Sequence, residues 1–240
     1  MVFTDEDHMY VHEGHVYTSV TTLVKQFVKK KDWEVIAEKY ATKNGETAEY
    51  WLKKWDDHKR HKAEKGSRYH KIREDTTEGI DCPVIDGKKH AIDLKGLDGV
   101  YKELIIFDPL YRVAGQIDYL KVTNGLCHIV DYKTSKDISN EAPVVGFNRT
   151  TRKVIKPHFL TPISALEETT YNTYALQLSI YAFMLERRGY KIGNLKIEHV
   201  LFNTDDLDDL VPKEIVPYDM PYLKTHAKSI LTWNKDSLNL

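Results

Sequence analysis

Two aspartates and a lysine stand where they could hold a metal ion. Asn124-Gly125 lies between two strand-like segments, Tyr111 to Val122 and Leu126 to Lys133. Asn-Gly is the strongest short hairpin signal. In a two-residue loop Thr123 pairs with Leu126, and counting back from the turn puts Asp118 opposite Asp131 and Gln116 opposite Lys133. Cross-strand partners share a face, with Cβ atoms roughly 4.5–5.5 Å apart. Residues two apart on one strand share it too, so Lys133 joins Asp131. Like charges directly opposite destabilise a sheet unless something compensates. Lys133 can compensate one carboxylate, and a divalent cation bridging both compensates better. Oxygen donors favour a hard ion such as Mg²⁺ or Mn²⁺. A bulge would break this register, and a surface hairpin would leave all three as solvated charges. The apolar neighbours Ile129-Val130 and Ala114-Gly115 favour a buried setting, where charges are usually functional.

The elements that must position these residues can be read in order. Met9 to Tyr17 reads as a hairpin turning at Glu13-Gly14, with His12 and His15 beside the turn as a surface pair. Thr18 or Ser19 can cap a helix over Val20 to Val28. Helical segments follow near Asp32–Lys43, Glu46–Asp57 and Arg60–Asp75. Strand character begins at Val100, with Leu104 to Phe107 as an apolar run. Residues 138–168 read as an irregular insertion. A long helix covers Thr170 to Arg188, stopped by Gly189. A strand near Leu195–Phe202, an acidic loop and a helix from about Pro221 to Trp233 complete the chain.

Net charge is −1 over 240 residues, which taken whole argues against a nucleic-acid partner. The distribution reverses that inference. From Lys25 to Arg73 there are 15 Lys/Arg against 8 Asp/Glu, whereas Val200 to Pro221 holds one Lys against six Asp/Glu. The basic block also carries Phe27, Trp33, Tyr40, Tyr50, Trp51, Trp55 and Tyr69. Cations interleaved with aromatics suit a single strand, cations tracking phosphates while rings stack on bases; a solvated helix face over a few core rings is the alternative. Cys82 and Cys127 are too few for a disulfide scaffold, a four-cysteine zinc site or an iron–sulfur cluster. No apolar run approaches the roughly 20 residues that span a bilayer. The start has neither a signal core nor an Arg-rich transit pattern. A cytoplasmic, unsecreted protein with no membrane partner is therefore expected.

Gly115-Gln-Ile-Asp118 followed by Asp131-Tyr-Lys133-Thr-Ser resembles the core signature of PD-(D/E)XK nucleases. Gly66-Ser-Arg-Tyr-His70 and Gln177-Leu-Ser-Ile-Tyr181 resemble the two further motifs of the RecB-like branch, and Glu103 matches an acidic residue on the first core strand. Within that branch the layout, with Ser19-Val-Thr-Thr-Leu near the start, is similar to the mitochondrial genome maintenance exonuclease and its phage relatives. The resemblance covers about residues 60–203. It implies an α/β fold, a mixed central sheet flanked by helices. Residues 1–60 would form a hairpin and basic helical region packed on a core of 61–240.

The resemblance also implies a function: Mg²⁺- or Mn²⁺-dependent exonuclease action on single-stranded or frayed DNA ends, with one or two ions. Asp118 and Asp131 would hold the metal, His70 would add a nitrogen ligand and the Tyr132 carbonyl could complete the shell. Lys133 would position or help deprotonate water and stabilise developing charge. Gln177 and Tyr181, four apart on one helix face, would touch substrate phosphate or the carboxylates, with helix–sheet packing an equal alternative for Tyr181. Glu103 would bind a second ion through water or merely flank a strand end, with Asp108 as its competitor. Lys53, Lys54, Arg60, Lys62 and Arg68 are the candidate nucleic-acid contacts of the basic block. Arg149, Arg152, Lys153 and Lys156 could cover the DNA path or sit on a surface loop. Expected partners are DNA and replication or recombination proteins in a bacterial or phage-infected cell, with the chain a monomer. The rivals are a flap or branch endonuclease of the same fold and a non-catalytic DNA-binding module. RNA cleavage stays open, because nothing in the sequence recognises a 2′-hydroxyl.

Overall fold

The computed structural model describes residues 1–4, 7–94 and 98–239. The strands are β1 (Val2–Thr4), β2 (Met9–His12), β3 (His15–Ser19), β4 (Ile80–Asp81), β5 (Val84–Ile85), β6 (Lys88–His90), β7 (Gly99–Asp108), β8 (Val113–Thr123), β9 (Leu126–Lys133), β10 (Gly146–Asn148), β11 (Lys153–Ile155), β12 (Lys191–Phe202) and β13 (Pro212–Met220). The helices are α1 (Val20–Lys25), α2 (Trp33–Asn44), α3 (Ala48–Thr76), α4 (Thr170–Glu186) and α5 (Lys224–Ser237). All strands but β10 and β11 join one mixed sheet flanked by helices, an α/β architecture. The spine runs β13-β12-β9-β8-β3-β2-β1-β6-β5, with β7 along the other edge of β8 and β4 beside β7. No helix among the described residues is long and apolar enough to cross a membrane.

The Asn124-Gly125 turn forms as its residues dictate. Asn124 (φ 51°) and Gly125 (φ 70°) both adopt the left-handed conformation that a tight hairpin turn needs. The register then runs from Thr123↔Leu126 to Tyr119↔Val130 and stops. Asp118 and Asp131, next in line, do not join the ladder, nor do Gln116 and Lys133. On the same edge, β8 meets β3 only through Val113 and Ala114. Residues 115–118 thus pair with neither neighbour, and the sheet splits there. Open α/β sheets place ligands where neighbouring strands part.

Helix α4 fills the core. Every residue from Ala175 to Leu185 is buried, so the helix reads as apolar all round. Helix α3 is different. Of its 29 residues only Lys65 and Tyr69 are buried. Tyr69 packs with Tyr132, Val200 and Phe202 in a small cluster apart from the main core.

Several sequence expectations change. The segments expected at Glu46–Asp57 and Arg60–Asp75 are one helix, because His58-Lys59-Arg60 holds no breaker; residue 60, expected as a boundary, lies inside it. The insertion at 138–168 carries a two-stranded ribbon, β10 against β11, rather than irregular chain alone. The acidic stretch is a loop only to Val211. Beyond it β13 pairs along β12, with Pro217 opposite Glu198; an edge strand tolerates proline. Ser19 caps α1 by accepting from the Thr22 N–H, but that helix ends at Lys25.

A candidate metal centre at the split in the sheet

Three donors gather at the split. One ligand atom each from His70, Glu103 and Asp118 lies within 4.8 Å of the others. Donors bonded at about 2.0–2.2 Å to one small ion lie about 3–4.4 Å apart, so these three would draw closer around a shared ion. His70 Nδ1 is 3.4 Å from Asp118 Oδ2. That oxygen also accepts from the Tyr132 backbone N–H at 2.7 Å, so this amide serves the carboxylate rather than the strand ladder. Glu103, on β7, lies across from Asp118 on β8. Its flanking pairs, Lys102↔Tyr119 and Leu104↔Ile117, keep one register, yet Glu103 has φ 48°. A left-handed glutamate inside a strand costs roughly 1–3 kcal/mol and is usually retained for a site.

Burial sets the protonation of this cluster. It pushes the Glu103 carboxyl up to about 9, reinforced by Asp118 and opposed by Lys89. Burial likewise raises Asp118 to about 6, with Asp131 adding and His70, Lys133 and the Tyr132 N–H opposing. Without a cation, Glu103 therefore keeps a proton at neutral pH. A divalent ion must displace that proton. Apparent Mn²⁺ affinity is expected to rise with pH between about 6 and about 9, the window of these two groups. Isothermal titration at several pH values measures it, and an affinity flat across that window would contradict this ligand set.

Asp131 stands one step aside. Its Oδ1 accepts from Gln177 Nε2 at 3.0 Å. Its Oδ2 is held in direct contact with the Lys133 ammonium. Burial pulls the Lys133 pKa down, but Asp131 and Asp118 outweigh it and the net shift is upward. Lys133 is therefore held as an ammonium beside Asp131, able to donate and to stabilise negative charge. Gln177 Nε2 lies 3.4 Å from the Tyr181 hydroxyl. Tyr181 packs directly on β8, since a Cβ at Gly115 would meet its ring at 2.6 Å. Both alternatives for the Gln177–Tyr181 pair thus have a counterpart: Gln177 reaches a carboxylate, and Tyr181 packs on the sheet.

All six of these side chains, His70, Glu103, Asp118, Asp131, Lys133 and Gln177, line one open cleft of about 860 Å³. Of the expected side-chain ligands, His70 and Asp118 gather with Glu103, while Asp131 is held beside them by Lys133 and Gln177. The Tyr132 side chain faces the other way. Its hydroxyl accepts from Arg73 at 3.1 Å, and the Arg73 guanidinium sits 4.4 Å from its ring. Asp108 is elsewhere, paired with Arg187 at 2.5 Å.

Sequence reasoning missed some contributors. Lys89 lines the cleft and pairs with Glu74 at 3.3 Å. It sits on β6 because Asp86-Gly87 turns the chain with both residues left-handed, an Asp-Gly signal as readable as Asn-Gly. His199 is buried opposite Lys133, its Nε2 2.6 Å from the Ser135 carbonyl. It braces the chain just after Lys133.

The basic block divides in two. On α3, Lys62 pairs with Asp205, and Arg68 pairs with Asp208 and Glu64. Lys65, only 2% exposed, lies 2.7 Å from the carbonyls of Thr204 and Asp206. The acidic loop after β12 thus neutralises Lys62 and Arg68, two of the expected nucleic-acid contacts. Arg60 pairs with Asp56 and Asp57 on its own helix. Lys53 and Lys54 remain solvent-facing. Lys54 lies 4.9 Å from the Trp51 ring, within a cluster of Trp33, Tyr40, Tyr50, Trp51 and Trp55 that joins α2 to α3. Trp33, Tyr40 and Tyr50 are exposed.

Cys82 and Cys127 are buried free thiols, and burial raises the pKa of both. A scan against protein-family models finds no match for this chain, and a search of the curated proteins finds none either.

Proposed function

We propose that the chain is a Mg²⁺- or Mn²⁺-dependent deoxyribonuclease that acts on single-stranded or frayed ends. The observation that carries this reading is the His70–Glu103–Asp118 cluster with the Lys133 ammonium beside it in an open cleft. One nitrogen and two carboxylate donors suit Mn²⁺ somewhat better than Mg²⁺.

A divalent ion held by these residues would supply positive charge against the phosphate and make water more acidic. The chain's own side chains would do the rest. His70 and Glu103 approach Asp118 from α3 and β7 and fix the donor geometry. Lys133 donates to a phosphate oxygen as charge develops there, the role a preorganised cation performs best in a site shielded from water. Gln177 holds Asp131 so that Lys133 is aimed by a fixed partner. The exposed rings of α2 and α3, with Lys53 and Lys54, support a preference for unpaired strands, since stacking tolerates any base.

Cleavage of end-labelled linear DNA, single- and double-stranded, with Mn²⁺ or Mg²⁺ tests the reading. Stepwise shortening of linear single strands is the expected result. Efficient cutting of closed single-stranded circles would favour the flap or branch endonuclease, and metal-independent binding without cleavage the non-catalytic module.

A further inference from the structure

The ribbon β10–β11 stands out from the sheet with an unusual surface. Val145 is 63% exposed, Phe147 57% and Val154 54%. Phe147 and Val154 are cross-strand partners and therefore share a face. Between Ala142 and Lys156 there are four cations, Arg149, Arg152, Lys153 and Lys156, and no acidic residue. Lys156 is paired with Glu167 at 3.2 Å; Arg149, Arg152 and Lys153 sit exposed around the turn.

The turn is preformed and the root is fixed. Asn148 Oδ1 accepts from the N–H groups of Thr150 and Thr151, each at 3.0 Å. Before the ribbon, Ile138 and Ala142 are buried; after it, Phe159 and Ile163 are buried, and Leu160 N–H donates to the Phe27 carbonyl at 2.8 Å. The root leaves β9 shortly after Lys133. A lone two-stranded ribbon is marginal in water, so an apolar face left open on a firmly rooted one points to a partner.

Charge selects that partner. An apolar face running directly into a cationic tip matches a base surface bordered by phosphates. A two-stranded ribbon is also narrow enough for a major groove about 12 Å wide. We propose that β10–β11 binds DNA at the junction of duplex and single strand, with Arg149, Arg152 and Lys153 on phosphates and Phe147 against the last base pair. This rests on the reading that the chain acts on nucleic acid and names the substrate feature it engages.

The test is fluorescence anisotropy of the full chain with forked DNA and with plain single-stranded DNA, in EDTA so that nothing is cut. Each phosphate contact contributes about 0.7–0.9 to the log–log salt slope. Joint replacement Arg149→Gln, Arg152→Gln, Lys153→Gln is expected to reduce that slope by about 2–3 on forked DNA. Phe147→Ser is expected to weaken forked DNA about tenfold, the scale of one lost stacking contact, and single strands much less. Wild-type affinity and slope in both variants would overturn the proposal. So would loss of self-association in Phe147→Ser, seen by sedimentation, with DNA binding unchanged, because the face would then belong to a second copy. Mn²⁺-induced stabilisation of the wild-type chain is measured alongside. Its absence would sink the metal-site reading alone, since the binding assay needs no metal.

Discussion

Lys133→Ala is expected to lower the rate of DNA cleavage at least 10²- to 10³-fold, the scale seen when one preorganised charge-stabilising donor is removed. Among the described residues Lys133 is the one cation in ion-pair contact with Asp131, and its raised pKa keeps it charged at neutral pH. The same change leaves a buried carboxylate uncompensated, which costs roughly 3–5 kcal/mol of stability. The two effects must therefore be separated. Asp131→Asn combined with Lys133→Met removes both charges and is expected to recover most of that stability without any activity. Single-turnover cleavage rates and denaturant melts of wild type and both variants measure the two axes. A Lys133→Ala enzyme that cuts as fast as wild type, at equal folded fraction, would remove the proposed mechanism.

Glu103→Gln is expected to abolish most of the stabilisation that Mn²⁺ gives. A ligand at 100 times its Kd stabilises by about 2.7 kcal/mol, worth roughly 5–11 °C in a chain of this size. Glutamine mimics the protonated carboxyl that Glu103 carries near neutral pH, so the metal-free variant should fold at least as well as wild type. The sign follows from linkage. The folded pKa of Glu103 lies above its ordinary value, so its contribution favours the fold at low pH and is lost as pH rises toward about 9. Metal-free Glu103→Gln should accordingly gain stability over wild type as pH rises from about 5 to about 9, while losing its response to Mn²⁺. Thermal melts with EDTA or Mn²⁺ at several pH values check both halves. An unchanged Mn²⁺ shift in this variant would exclude Glu103 as a ligand.

The parts of this site that were readable in the sequence are those fixed by local chemistry. Asn124-Gly125 set the β8–β9 register, and the counting held as far as Tyr119↔Val130. It could not show that the ladder stops there, because the split depends on β3 arriving from another part of the chain to pair with Val113 and Ala114. The motif around Asp118 and Asp131 indicated a charged, buried place. That Glu103 rather than Asp131 completes the gathered donors depends on a backbone conformation no propensity suggests for glutamate. The charge blocks were visible, but not their contact: Lys65 and the loop carbonyls it meets are some 140 residues apart, and helical periodicity says nothing about such a docking. Pro212 and Pro217 hid β13, since prolines argue against a strand unless it lies on an edge.

The docking of the acidic loop on α3 has a consequence for how this protein would respond to its ionic surroundings. Lys62–Asp205 and Arg68–Asp208 are exposed pairs, open to screening over a Debye length of about 8 Å at physiological salt. The Lys65 ammonium is shielded, and it binds carbonyl dipoles rather than a counter-charge. Rising ionic strength therefore loosens the rim of the clasp while its pin stays in place. Because α3 also carries His70, this salt-resistant pin joins the buried Tyr69 contacts in keeping the nitrogen donor at its post.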